Sequence, residues 1–169
     1  MKNLSFIRKG IFALLVATTA LVGCSKDSDL KHNTVTINNE EKKITKAEYK
    51  EKGVFSLFLY FYLNNSNERV ELQIDKSYHT NSKPIKLTQR EEDHIGRYWG
   101  VEYYTKNNKK LIAAYGGSDF RLFSQGTLTI SNNPRKGVVN IFLKDGKVKG
   151  TDGVVYDFTL NYSGKMTDK

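Results

Sequence analysis

The sequence predicts an all-β fold: an antiparallel β-sandwich of roughly eight to ten strands, with a small closed up-and-down β-barrel as the alternative. Three observations carry that expectation. Apolar and polar residues alternate with period two in short runs along the chain after Asn33. Turn-forming pairs punctuate those runs, among them Asn38-Asn39, Asn107-Asn108, Gly116-Gly117, Asn132-Asn133 and Asp145-Gly146. The composition, 38% apolar and 12% aromatic, belongs to a folded chain, and the single cysteine rules out an internal disulfide framework and a Cys-rich zinc site.

The elements follow in order. Thr34 to Ile37 reads as the first strand and Asn38 to Glu41 as a turn. Lys43 to Lys52 is the best helix candidate, although β-branched Ile44 and Thr45 suit a strand equally well. Val54 to Leu63 reads as the longest strand, and Val70, Leu72 and Ile74 alternate with Arg69, Glu71, Gln73 and Asp75. After a polar loop containing Pro84, Arg97 to Lys106 places Trp99, Val101 and Tyr103 on one face. Lys110 to Tyr115, Gly126 to Ile130 and Val138 to Leu143 follow, with Asp145-Gly146 as a turn signal. Finally Val154, Tyr156, Phe158, Leu160 and Tyr162 are expected to face inward. A domain of this size buries about 68–70% of its unfolded surface and needs no covalent staple.

The first 23 residues have a different character. Lys2, Arg8 and Lys9 precede an apolar stretch from Ile11 to Val22, too short for the ~20 residues that span a bilayer. That is the pattern of a secretory signal peptide. Its end, Leu21-Val22-Gly23-Cys24, resembles the lipobox of bacterial lipoproteins. The resemblance implies cleavage between Gly23 and Cys24, a diacylglyceryl group on the Cys24 thiol and acylation of the new amino terminus. Two or more acyl chains, palmitate among them, anchor stably where one does not. Residues 1–23 are then the signal peptide, 24–33 the lipidated Cys and a flexible tether, and 34–169 a single β-domain.

Processing changes the charge. The 27 basic and 18 acidic residues make +9, but removing Lys2, Arg8 and Lys9 leaves 24 against 18, or +6. The basic residues alternate with acidic ones, and no nucleic-acid recognition motif occurs, so no nucleic-acid partner is expected. The tether from Ser25 to Asn33 reaches ~30 Å at most, holding the domain near its membrane. Ser25 after the lipidated Cys favours the outer membrane by the enterobacterial sorting rule. Asp27 and Asp29 beside Lys26 resemble the export signal of Bacteroidetes surface lipoproteins. Surface-exposed and periplasm-facing placements both stay open.

The stretch from Gly126 through Asp145-Gly146 to Asn161-Tyr162-Ser163-Gly164 also resembles the end of small Bacteroidetes cell-envelope lipoproteins. Many of those have no assigned activity, so the resemblance implies a kind of protein and not a reaction.

Val54 to Leu63 is apolar on both faces. Phe55, Leu57, Leu59, Phe61 and Leu63 make one, and Val54, Ser56, Phe58, Tyr60 and Tyr62 the other. Such a strand is either covered twice or presents an aromatic platform. Sugar C–H faces stack on aromatic rings while phenolic hydroxyls bond sugar hydroxyls, so Phe58, Tyr60 and Tyr62 form a candidate ligand surface, extended by Tyr98, Tyr104 and Tyr115. No zinc-binding His spacing, nucleophile elbow or phosphate-cradling loop occurs. His79 and His94 lie in polar loops, and Glu91-Glu92-Asp93-His94 reads as a solvated acidic loop. No catalytic residue, metal or cofactor is expected.

The expectation is therefore a membrane-anchored, non-catalytic binding module of the cell envelope, taking a glycan or an envelope protein. A lipid- or small-molecule-carrying barrel lined by the same aromatics, and a hydrolase with carboxylates in loops, are the alternatives. Cys24→Ser is expected to abolish radiolabelled palmitate incorporation and to release the protein from membranes at alkaline wash; retention with membranes would overturn the lipobox reading.

Overall fold

Asn38 and Asn39 both sit at positive φ, 48° and 66°. A type I′ two-residue hairpin turn requires that region at both positions, and Asn tolerates it better than most residues. The turn joins β1 (Thr34–Ile37) to β2 (Glu40–Lys52). It is confined to the two asparagines, because Glu40 and Glu41 already pair with Ile37 and Thr36. The structure is a computed structural model that describes residues 33–91 and 96–169. Gly23, Cys24, the rest of the expected signal peptide and tether through His32, and Glu92 to Ile95 lie outside the described residues. Asn33, assigned to the tether by sequence, is already bonded into the domain. Its side-chain oxygen accepts the Ser163 N–H at 2.9 Å and its carbonyl accepts the Ile44 N–H at 2.8 Å.

The remaining strands are β3 (Ser56–Leu63), β4 (Arg69–Asp75), β5 (Ile85–Lys86), β6 (Gly100–Tyr104), β7 (Lys110–Tyr115), β8 (Gln125–Ser131), β9 (Val139–Lys149), β10 (Val155–Gly164) and β11 (Thr167–Asp168). One helical turn, α1 (Lys76–His79), follows β4. The strands make one continuous sheet in the order β5-β8-β9-β10-β1-β2-β3-β4-β6-β7, antiparallel throughout, with β11 pairing in parallel beside β2. The fold is thus all-β, a curled antiparallel sheet intermediate between a sandwich and a half-barrel.

Two irregular places allow the curl. In β2 the register shifts between Ile44 and Lys46, leaving Thr45 as a bulge. Residues 40–43 of β2 pair with β1, and from Ile44 onward the strand pairs with β3. Strand β2, not Val54 to Leu63, is the longest at 13 residues, and the helix candidate Lys43 to Lys52 lies within it. Its tertiary pairing on both sides overrides local helix propensity. The second place is Asp145-Gly146, which does not turn the chain. Asp145 has φ 52°, and β9 runs on through Gly146 to Lys149, with the register against β10 shifting between Phe158 and Leu160. This too is a β-bulge, and bulges bend a strand and increase its twist. Gly126 in β8 meets it at φ 127°, with the Gly146 Cα only 2.9 Å from where a Gly126 Cβ would stand.

Bending brings the inner faces together. Leu57, Leu59, Phe61 and Leu63 of β3 are fully buried, as are Val70 and Leu72 of β4, Val101 of β6 and Phe158 of β10. Phe61 meets Tyr162 edge-on at 5.2 Å between ring centroids, and Tyr103 lies 6.5 Å from Phe158. Fully burying each such side chain is worth ~1.5–3 kcal/mol, so this shared interior dominates stability. One buried polar group spans it as well. Glu68 accepts from the Tyr103 hydroxyl and lies 3.1 Å from the Lys42 ammonium. Burial and the neighbouring carboxylate both push the Tyr103 phenol above its ordinary pKa.

Several strand limits differ from the sequence expectation. Val54 and Phe55 fall in the β2–β3 turn and are 75% and 43% exposed, so neither extends a strand face. Arg97 to Trp99 and Thr105-Lys106 lie outside β6. Val154 lies in the β9–β10 turn and is exposed, whereas Phe158, Leu160 and Tyr162 do face inward.

Gly146→Ala would drive a Cβ into the Phe158 carbonyl oxygen and the Leu143 side chain. It is expected to destabilise the fold by about 1–3 kcal/mol, read as a lower midpoint in urea unfolding.

Candidate functional site

The inward packing of Leu57, Leu59, Phe61 and Leu63 leaves the alternate side chains of β3 on the outer face, because successive residues of a strand point to opposite sides. Phe58, Tyr60 and Tyr62 therefore stand outside, half-buried by their neighbours. Register aligns three rows across them. Tyr62 lies between Lys46 and Arg69, Tyr60 between Glu48 and Glu71, and Phe58 between Lys50 and Gln73. On the next strand Arg69 faces Tyr104, Glu71 faces Glu102, and Gln73 faces Gly100, which in turn faces Tyr115.

The structure thus brings Phe58, Tyr60, Tyr62 and Tyr104 onto one face. The Arg69 guanidinium lies 4.0 Å from the Tyr104 ring centroid. Tyr98 lies at the margin of that face, beside Tyr115. Its ring packs against Tyr115 at 6.4 Å and Phe120 at 5.9 Å, so it backs Tyr115 from the side. The same aromatics are outside the curl, and so do not line its interior.

Recesses lined by described residues open on this surface. One of about 110 Å³ is lined by Phe58, Glu71, Gln73, Gly100, Glu102 and Tyr115. Gly100 makes it possible, since a Cβ there would come within 2.5 Å of the Tyr115 ring that lies over it. A second, of about 360 Å³, is lined by Lys50, Lys52, Phe58 and Tyr60. A third, of about 330 Å³, adjoins Tyr62, Arg69, Glu71 and Lys169. The Lys169 ammonium lies 3.6 Å from the Tyr60 ring centroid and 5.7 Å from that of Tyr62. Burial raises the Tyr60 phenol pKa although Lys169 pulls the other way, so the hydroxyl stays neutral and able to donate.

Glu102 organises one side of the face. It accepts from the Tyr104 hydroxyl at 2.7 Å, from the Tyr115 hydroxyl and from the Lys110 ammonium. Burial alone would raise its pKa, but these three donors and the Lys110 charge outweigh burial and hold it below the usual carboxylate range. Arg69 Nε donates to Glu71 Oε1 at 2.6 Å. Two carboxylates directly opposite each other repel, and a cation beside each compensates.

A separate polar cluster surrounds α1. The Asp75 carboxylate caps the turn through the Ser77 and Tyr78 N–H groups and accepts from Arg97 Nε at 2.6 Å. Burial pushes its pKa up, but Arg97 and the two N–H groups prevail and hold it low. His79, expected in a polar loop, is buried in that helical turn. Its Nδ1 accepts the Asp75 N–H at 2.9 Å, so Nε2 carries the hydrogen that faces Glu91 Oε1 at 3.0 Å. The other Glu91 oxygen accepts the Trp99 N–H at 2.8 Å. Glu91, expected to be solvated, instead ties the loop to the start of β6. His94 lies outside the described residues. Among the described residues no group of three or more His, Cys, Asp or Glu could hold a metal ion.

Sequence reasoning passed over Glu71, Gln73 and Glu102, the polar partners of the aromatic row. Their signal was present as the outward members of alternating strands, but alternation does not say which strands lie side by side. Lys50, Lys52 and Lys169 had no signal of their own. No family model, curated protein or solved structure matches this chain.

Glu102 has its pKa depressed in the folded state, so its stabilising contribution is complete above the unfolded value of about 4.3 and is lost as pH falls below it. Tyr104 and Tyr115 have theirs raised, by burial and by Glu102, so their contribution is complete below about 10 and is lost as pH rises further. Glu102→Gln is therefore expected to flatten both the acid and the alkaline limb of a melting-temperature profile.

Proposed function

We propose that this protein is a membrane-anchored lipoprotein of the cell envelope, held by acyl chains on Cys24, that binds a glycan on the outer face of β3 and catalyses no reaction on it. The observation that carries the binding reading is the row Phe58, Tyr60 and Tyr62. It is half-exposed on a rigid strand whose other face is locked in the core, with Gln73 and Glu71 beside it as hydrogen-bonding partners. Aromatic faces supply stacking area and neighbouring polar groups supply orientation, the combination a sugar ring requires.

The non-catalytic part rests on the carboxylates. Glu71 and Glu102 converge on the 110 Å³ recess, as a glycoside-cleaving pair does. Such a pair needs one carboxyl that retains a proton near neutral pH. Glu102 is held ionised by three donors, and Glu71 is paired with Arg69. Those surroundings suit recognition rather than proton transfer. The outer-membrane address rests on Ser25 following the lipidated Cys.

Full-length protein in detergent micelles is expected to retain members of a broad glycan array. Phe58→Ala with Tyr60→Ala is expected to weaken that binding about tenfold, two stacking contacts at ~0.5–1.5 kcal/mol each, without lowering the melting temperature by more than a few degrees. Absence of binding to every glycan would overturn the sugar reading.

A further inference from the structure

The outer face is not electrically even. Among the described residues each of its carboxylates already has a cation: Glu48 has Lys46 at 2.6 Å, Glu71 has Arg69 at 2.6 Å, and Glu102 has Lys110. Lys50 and Lys52, on the same face of β2, have no carboxylate within ion-pair distance among the described residues, and both are exposed. Glu51 between them points the other way, toward Lys76 at 3.0 Å and Arg135 at 3.3 Å. The two lysines and the rings of Phe58 and Tyr60 line the 360 Å³ recess. Lys169, against the Tyr60 ring and lining an adjoining recess, adds a third positive charge; its charge also acts on Glu48, but it has no carboxylate within ion-pair distance among the described residues.

A recess with aromatic walls and unneutralised ammonium groups matches a ligand that has both a flat C–H face and negative charge. We infer that the glycan is acidic: a pyranose bearing a carboxylate or sulfate stacks between Phe58 and Tyr60 and places its anion between Lys50 and Lys52. The inference rests on the glycan-binding reading and adds the charge of the ligand to it. A neutral sugar uses the rings but leaves the ammonium groups hydrated, and a simple anion uses the ammonium groups but not the rings. Attraction to an exposed lysine pair is screened by salt, so charge recognition at this recess weakens as ionic strength rises.

The test is calorimetric titration of the full-length protein in detergent micelles with three hexasaccharides: hyaluronan (carboxylates), chondroitin sulfate (carboxylates and sulfates) and chitohexaose (neutral). At least one acidic hexamer is expected to bind ten times more tightly than chitohexaose at 50 mM salt, and the two acidic arms separate carboxylate from sulfate recognition. Lys50→Gln with Lys52→Gln is expected to remove that advantage, and Phe58→Ala to weaken both the acidic and the neutral ligands. Lys144→Gln with Lys149→Gln, a remote exposed pair of equal charge on β9, which β10 and β1 separate from β2 in the sheet, is expected to change neither. Equal binding of chitohexaose and both acidic hexamers overturns the acidic inference and leaves the glycan reading standing. An equal loss with the remote pair shows diffuse attraction to a basic protein and also overturns the inference. Binding of none of the three overturns it outright, and the broad array then decides whether the glycan reading survives.

Discussion

The bends in β2 and in the β8–β9–β10 region are the constraint on which the rest of the molecule depends. A sheet of this many strands, left flat, would expose one apolar face to water. Here Thr45 supplies an extra residue in the longest strand, and its hydroxyl oxygen also accepts the Asn65 N–H at 3.2 Å. On the other half Asp145 takes a left-handed conformation, while Gly126 and Gly146 pass each other too closely for any side chain between them. Together they fold the sheet so that Phe61 reaches Tyr162 and Tyr103 approaches Phe158. A bulge costs ladder hydrogen bonds locally, and the buried apolar area it makes possible far exceeds that cost.

The same bend determines what the outer face presents. Because β3 is central and its inward residues are fully buried, Phe58, Tyr60 and Tyr62 have fixed backbone positions and fixed neighbours. Glu102, three donors around it, and Arg69 over Tyr104 hold the flanking side chains in place. A surface ordered before its ligand arrives loses less conformational entropy on binding than a mobile one. The His79–Glu91–Trp99 and Asp75–Arg97 contacts serve the chain itself. They pin the long β4–β6 connection, which leaves one half of the sheet, pairs β5 with β8 on the other, and returns.

Several elements were legible residue by residue. The β1–β2 turn follows from Asn38-Asn39, strands β4 and β8 follow from alternation, since each has one apolar face, and β7 follows from the Asn107-Asn108 and Gly116-Gly117 pairs that bound it. Asp145-Gly146 misled because the same left-handed preference serves a hairpin turn and a bulge; only the pairing of β9 with β10 on both sides of it distinguishes the two. Lys43 to Lys52 was ambiguous because a charged, one-sided segment satisfies either period over ten residues. Val54 and Val154 looked like strand ends, but hairpin geometry placed them in turns.

The sequence by itself determined the all-β class, the order of most strands and the two faces of β3, because period-two alternation and Asn/Gly turn chemistry are local properties of the chain. The proposal of a signal segment ending at Cys24 likewise comes from sequence alone, as a short apolar run ending in one nucleophilic side chain. Only the tertiary structure decided that the sheet is one continuous curl, that the aromatic face looks outward, and that Glu71, Gln73, Glu102, Lys50 and Lys52 surround it. Those are facts of register between strands distant in sequence, set by which apolar faces meet in the core, and no local pattern encodes them.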